Sequence, residues 1–177
     1  MKGLNTAQGQ RLLGECVAEF SRGSSVAAQR TARLLGTIDL PVTNDAPVPT
    51  STGQTIWDDE MGISPPDYIA HMTVVQSHSP CLSIVQEIYH GLDWYQSEKS
   101  NSPYTQIVGP SSLIDREDFR LGLFLLPENI VYPNHQHSPD EVYIVLAGSG
   151  EWSLNRGTFE NKTVGNIIDI PSMTIHA

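Results

Sequence analysis

A short stretch in the C-terminal half carries two histidines and a carboxylate at a spacing that suits a metal ion. His135 and His137 are two residues apart, and Glu141 follows four residues later. In an extended segment residues i and i+2 point to the same face, so both imidazoles and the carboxylate could converge on one point. His176 could supply a third nitrogen. Three neutral imidazoles with one carboxylate suit a divalent metal such as iron, manganese, nickel, copper or zinc.

The composition is that of an ordinary globular protein with an acidic balance. The 177 residues are 39% hydrophobic and 17% charged, which suits one domain with an annex. Ten Lys and Arg against twenty Asp and Glu give a formal net charge of −10. Nucleic acids and anionic membrane surfaces are bound through basic patches, so the charge argues against both as partners. No apolar run is long enough to span a bilayer and no secretory signal is recognisable, which predicts a cytoplasmic protein.

The two cysteines, Cys16 and Cys81, lie far apart in the sequence and form no Cys-x-x-Cys pair. This spacing indicates neither a disulfide framework nor a thiolate zinc site. Because both fall in apolar patterns, we expect buried free thiols.

The first part of the sequence predicts two helices. Leu12, Cys16 and Phe20 recur at helical spacing. A second helix is expected from about 26 to 35, with Ser25 as its N-cap.

A stretch rich in Pro, Thr and Asp follows from 37 to 53 and predicts a linker or a strap across the surface. A third helix is expected to begin at Ser79 and Pro80, because Ser suits the N-cap and Pro the first helical position. Ile84 and Ile88 would lie on its apolar face. This helix would act as a lid or as a brace on the rest of the fold.

From Tyr104 onward the hydrophobic period changes to two, which predicts strands. We expect them at 119–126, 130–132, 142–147, 151–154, 158–164 and 166–170. Residues 142–147 are apolar on both faces, as in a buried strand. Short strands between turns predict a sandwich or barrel. The sequence thus divides into an N-terminal helical region with strap and brace helix, residues 1–103, and a β-barrel domain with the metal site, residues 104–177.

The second of these regions resembles the cupin superfamily. The residues that match its two motifs are Gly122, His135, His137, Glu141, Gly148, Gly165, Pro171 and His176. The resemblance implies a mainly β protein, a double-stranded β-helix or jelly-roll barrel, preceded here by helices. It also implies that His135, His137, Glu141 and His176 bind one metal in the mouth of the barrel.

The sequence ends one residue after His176, whereas cupin barrels continue for two or three further strands. Either the barrel is truncated at its C-terminus, or the N-terminal half contributes unusual strands to it.

Within the cupins, residues 132–143 together with the paired N-terminal helices are similar to the bacterial cupin-type dimethylsulfoniopropionate (DMSP) lyases. These enzymes cleave DMSP to dimethyl sulfide and acrylate. In that group a Tyr two residues after the Glu ligand serves as the base, and Tyr143 holds that place. Tyr132 is a second candidate, as a helper or as a donor to the substrate carboxylate.

The chemistry of this elimination sets the requirements for such a site. A base removes the proton next to the carboxylate, a bound metal stabilises the charge that develops, and the neutral thioether leaves without an acid. Aromatic faces attract cations. Tyr132, Trp57, Trp94 or Trp152 could therefore face the sulfonium group.

Two other interpretations stay open. The same ligands would serve another metal-dependent cupin enzyme, a dioxygenase or an isomerase, and they would also serve a non-catalytic cupin that binds a small ligand. Exposed helices and sheet edges would allow a homodimer.

Overall fold

The computed structural model describes residues 5–40, 79–97, 100 and 102–177. Most of the Pro-rich strap, from residue 41 on, lies outside the described residues, as does Trp57.

The predicted helices are confirmed, and each begins at a side-chain cap. They are α1 (Thr6–Ser21), α2 (Val26–Gly36) and α3 (Pro80–Ile88), the last continued by a 3-10 turn (Tyr89–Gly91). The Ser25 hydroxyl accepts a hydrogen bond from the backbone N–H of Ala28 at 3.0 Å. Ser79 accepts one from Cys81 at 3.1 Å, with Pro80 at the first helical position. These caps satisfy N–H groups that a helix start leaves without an internal partner.

The strands are short and mostly antiparallel. They are β1 (Tyr95–Gln96), β2 (Pro103–Gly109), β3 (Ile114–Asp115), β4 (Leu121–Phe124), β5 (Glu141–Ile144), β6 (Ser149–Trp152), β7 (Glu160–Thr163) and β8 (Ile167–Ile170). Antiparallel pairing joins β1 and β4 to β2, β5 to β8, and β6 to β7, while β3 runs parallel to β2. Within the described residues the strands form three separate sheets and do not close into a barrel.

Two of the strand predictions are wrong. Residues 130–132 form no strand and lie in an irregular segment between β4 and β5. Pro127 and Pro133 flank this segment, and proline lacks the N–H that a sheet ladder needs. Residues 142–147 are half-buried, and only the first three belong to β5. They pack on the core but also border a cavity, so they are not covered on both faces.

The main core lies between the helices and the first sheet. Leu12 of α1, Val85 of α3 and Ile107 and Val108 of β2 are almost completely buried in it. Burying one such side chain contributes about 1.5–3 kcal/mol. The core therefore joins residues from both halves of the sequence.

Two hydrogen bonds fasten the helical layer to the sheet of β5 and β8. The hydroxyl of Ser25, at the start of α2, donates to Asp169 Oδ1 of β8 at 2.7 Å. The backbone N–H of Ser79, at the start of α3, donates to the carbonyl of Leu146 beyond β5 at 3.1 Å. The helices thereby brace the strands that carry the candidate site.

No helix in the described part of the chain combines the length and the apolar character needed to cross a bilayer. The cytoplasmic location and the homodimer stay predictions.

Gly122 gives a test of the close packing between β2 and β4. A Cβ atom at this position would overlap the backbone carbonyl of Thr105 on the neighbouring strand. We expect Gly122→Ala to lower the free energy of unfolding by about 1–3 kcal/mol, as overpacking does. Gly14→Ala is the matched control, since nothing lies within 4 Å of a Cβ there; it should raise stability by about 0.5–1 kcal/mol. Urea denaturation measures both, and equal effects would contradict the close approach.

Candidate metal site

The backbone brings the two histidine-bearing segments together. His135 and His176 form an isolated antiparallel bridge, in which each backbone N–H donates to the other residue's carbonyl, at 3.0 and 2.9 Å. The N–H of Met173 donates to the carbonyl of His137 at 2.8 Å. Backbone hydrogen bonds thus join the loop before β5 to the segment after β8, although the two are distant in sequence.

Three imidazole rings converge across this bridge. One ring nitrogen from each of His135, His137 and His176 lies within 4.8 Å of the other two. The ring centroids of His135 and His176 are 4.0 Å apart, and those of His137 and His176 are 5.1 Å apart. His176 is 3% exposed, so the cluster has a buried side. This grouping could hold a metal ion.

Backbone carbonyls fix the orientation of all three rings. The Nδ1 atoms of His135, His137 and His176 lie 2.9, 3.1 and 2.9 Å from the carbonyl oxygens of Pro133, Pro139 and Thr174. A carbonyl only accepts, so each Nδ1 carries the hydrogen and donates it. In a neutral ring the Nε2 lone pair is then free to bind a metal.

Glu141 places its carboxylate beside two of these nitrogens. It is the first residue of β5 and lies opposite Ile170 of β8. Its Oε1 is 3.1 Å from Nε2 of His137, and its Oε2 is 3.5 Å from Nε2 of His176. Both nitrogens and Oε2 are buried and make no hydrogen bond in the described structure. Buried polar atoms without partners cost free energy, and a divalent cation among them would satisfy all three.

Tyr143 lies two residues farther along β5, opposite Ile168. Because residues i and i+2 of a strand point to the same face, its side chain lies on the same face of β5 as Glu141. Burial raises the pKa of Tyr143 well above its ordinary value, and the negative charge of Glu141 raises it further. Its ring packs against Trp152 of β6, with centroids 4.9 Å apart. The phenol thus borders both the carboxylate and an aromatic face.

Tyr132 closes the other side of the cluster. Its ring lies edge-on to His135, with centroids 4.7 Å apart, and edge-on to Phe124 at 5.4 Å. One cavity is bordered by Tyr132, Tyr143 and Trp152 together with the clustered histidines. The structure therefore brings all six predicted site residues to one place.

Trp94 does not lie at this site. It is 2% exposed in the core, where its indole N–H donates to the carbonyl of Tyr89 at 3.1 Å. Trp152 borders the cavity and could face a cationic ligand, whereas Trp94 could not.

Two further residues lie at this site that the pattern of the sequence did not single out. Phe124 is the last residue of β4 and lies beside Tyr132. The only sequence signal for it was its position in a strand of alternating hydrophobic residues. Asp140 Oδ1 accepts a hydrogen bond from the backbone N–H of Ser172 at 2.8 Å. This contact adds to the backbone hydrogen bonds that hold His176 against His135.

Comparison with solved structures supports the fold. DMSP lyase DddQ from Ruegeria pomeroyi DSS-3 superimposes with a TM-score of 0.64 at 19% sequence identity, covering 97% of this chain and 84% of that one. A structure described among the DMSP lyases RdDddP and RnDddQII gives a TM-score of 0.57 at 18% identity, covering 95% of this chain and 85% of that one. The predicted fold class, a mainly β fold preceded by N-terminal helices, is confirmed by this similarity, whereas the strands of the described residues do not close into the predicted barrel.

Comparison at the level of sequence gives the family. No curated protein matches the chain significantly. A family model described as dimethylsulfoniopropionate lyase matches residues 65–177, well over half of the chain. The chain therefore belongs to the dimethylsulfoniopropionate lyase family.

Proposed function

We propose that this protein is a metal-dependent carbon–sulfur lyase that cleaves DMSP to dimethyl sulfide and acrylate. The observation that carries the proposal is the convergence of three oriented imidazoles and Glu141 beside the hydroxyl of Tyr143. Membership of the DMSP lyase family names the substrate. The acidic balance of the sequence, at a net charge of −10, suits a small zwitterion better than a polyanion.

The metal ligands in this proposal are His135, His137, Glu141 and His176. Their donor set accepts several first-row ions, so iron, manganese, nickel, zinc and copper are all candidates. When bound, the cation would act as a Lewis acid for the substrate carboxylate and would offset the Glu141 charge that raises the Tyr143 pKa.

Tyr143 is the proposed base. In its deprotonated form, the phenolate oxygen accepts the proton from the carbon next to the substrate carboxylate, and the C–H electron pair forms the new double bond. The bond from the β-carbon to sulfur breaks, and its electron pair leaves with dimethyl sulfide. The place of Tyr143 two residues from Glu141 on β5 and its ring contact with Trp152 support this role, because they fix the position of the phenol ring.

Aromatic rings on two sides suit the positive sulfonium group. Trp152 packs against Tyr143, and Tyr132 packs between Phe124 and His135. A cation over such a ring face gains about 0.5–2 kcal/mol, more when water is excluded. We propose Trp152 and Tyr132 as the walls for this group, and Tyr132 also as a donor to the substrate carboxylate.

Headspace analysis tests the activity itself. The metal-loaded protein, incubated with DMSP without oxygen, should release dimethyl sulfide and acrylate in equal amounts. Chelation should abolish the release, because the ligand atoms would then lack a cation. Added divalent metal should restore it. Release that requires oxygen would indicate a dioxygenase. A metal-loaded protein that releases neither product would contradict the lyase.

Replacing His176 tests the metal site without reference to activity. Because His176→Gln removes one imidazole ligand, the metal bound per protein after dialysis should fall, with an affinity loss of at least about ten-fold. His90→Gln is the matched control, since His90 stacks on Tyr89 away from the cluster. Elemental analysis measures both variants. Equal metal content in the two would show that His176 is no ligand.

Replacing Tyr143 tests the base. Tyr143→Phe removes one hydroxyl and should lower kcat by about 10²–10⁴-fold, the usual contribution of a positioned acid or base. Its metal content should stay at the level of the unmodified protein. Tyr89→Phe removes a hydroxyl in the 3-10 turn and should leave kcat unchanged. Near-normal turnover of Tyr143→Phe would refute the assignment.

A further inference from the structure

The two cysteines of the chain meet in the folded protein. Cys16 and Cys81 are separated by 65 positions in sequence, yet their sulfur atoms lie 3.6 Å apart in hydrogen-bonding contact. Both are free thiols, 8% and 2% exposed. The predicted burial of free thiols is confirmed, but their closeness was not foreseen. Nothing in the proposed elimination uses them.

Their placement makes this pair a connection between two helices. Cys16 lies in the second half of α1, and Cys81 lies in the first turn of α3. The start of α3 is in turn bonded to the segment beyond β5 through Ser79 and Leu146. Both sulfur-bearing side chains border the same cavity as the histidine cluster.

We propose that Cys16 and Cys81 are a redox modification site that forms a reversible intramolecular disulfide and so joins α1 covalently to α3. A disulfide needs sulfur atoms about 2 Å apart, so the two sulfurs must approach each other by only about 1.5 Å. The proposal does not depend on the proposed lyase activity.

The surroundings assign different roles to the two sulfurs. The hydrogen bond between the two thiols lowers the pKa of Cys81, and the same bond together with burial raises the pKa of Cys16. The N-terminal turn of α3 also favours a thiolate at Cys81. Cys81 is therefore the sulfur that reacts first, and Cys16 is the sulfur that resolves the product.

The reaction balances with hydrogen peroxide as the oxidant. The Cys81 thiolate attacks one peroxide oxygen, the O–O bond breaks, and a sulfenic acid and one water form after proton uptake. The Cys16 sulfur then attacks the Cys81 sulfur, the S–O bond breaks, and a second water leaves with the Cys16 proton. Two thiols lose two electrons in total, and one peroxide gains them.

Mass spectrometry and thermal unfolding of the whole protein test this. After mild peroxide treatment the monomer should lose the mass of two hydrogen atoms, and neither thiol should react with an alkylating reagent under denaturing conditions. Tm should rise by roughly 10 °C, because the bond constrains a 65-residue loop of the unfolded chain. Dithiothreitol should reverse both changes.

Cys16→Ser and Cys81→Ser are the control variants, and each should lack the mass loss and the Tm rise. If a variant does not fold, peptide mapping of the unmodified protein decides, because trypsin separates residues 12–22 from 34–99. A linked pair of these peptides supports the site. Oxygen addition to single cysteines, disulfide-linked dimers, or thiols that stay reduced would each overturn it.

Discussion

The site depends on electron-rich atoms that are held facing one another. Nε2 of His137 and of His176 point at the two carboxylate oxygens of Glu141, at 3.1 and 3.5 Å. The ring hydrogens are already donated to backbone carbonyls on the far side of each ring. With neutral rings, lone pairs meet a negative charge, and this contact is repulsive unless positive charge lies between them. A cation between them relieves that repulsion, so the geometry suits a binding site for a metal ion.

Holding such groups together requires a scaffold that resists their separation. The bridge between His135 and His176 does this through backbone bonds, and Asp140 adds a bond to the Ser172 N–H. An isolated pair of short strands is only marginally stable. The helices supply the missing support, because Ser25 bonds to Asp169 of β8. A substitution at the start of α2, far from the histidines, would therefore alter the geometry of the site.

The sequence predicted what depends on local signals. Ser25 and Ser79 mark helix starts through cap chemistry, and the structure confirms both caps. The site residues followed from spacing and from resemblance to a family. Packing could not be foreseen, because it is decided by residues distant in sequence. The sequence gives no signal that distinguishes Trp94 from Trp152, yet Trp94 lies in the core and Trp152 borders the cavity.

The metal site and the proposed base, Tyr143, depend on each other through Glu141. Burial and the Glu141 charge keep the phenol protonated by raising its pKa, which by itself opposes a role as base at neutral pH. The same carboxylate is also the group that faces the histidine nitrogens. Positive charge beside Glu141 would weaken one cause of the raised pKa, while burial would still act on the phenol. The state of Tyr143 is therefore coupled to occupancy of the neighbouring site through a single shared carboxylate.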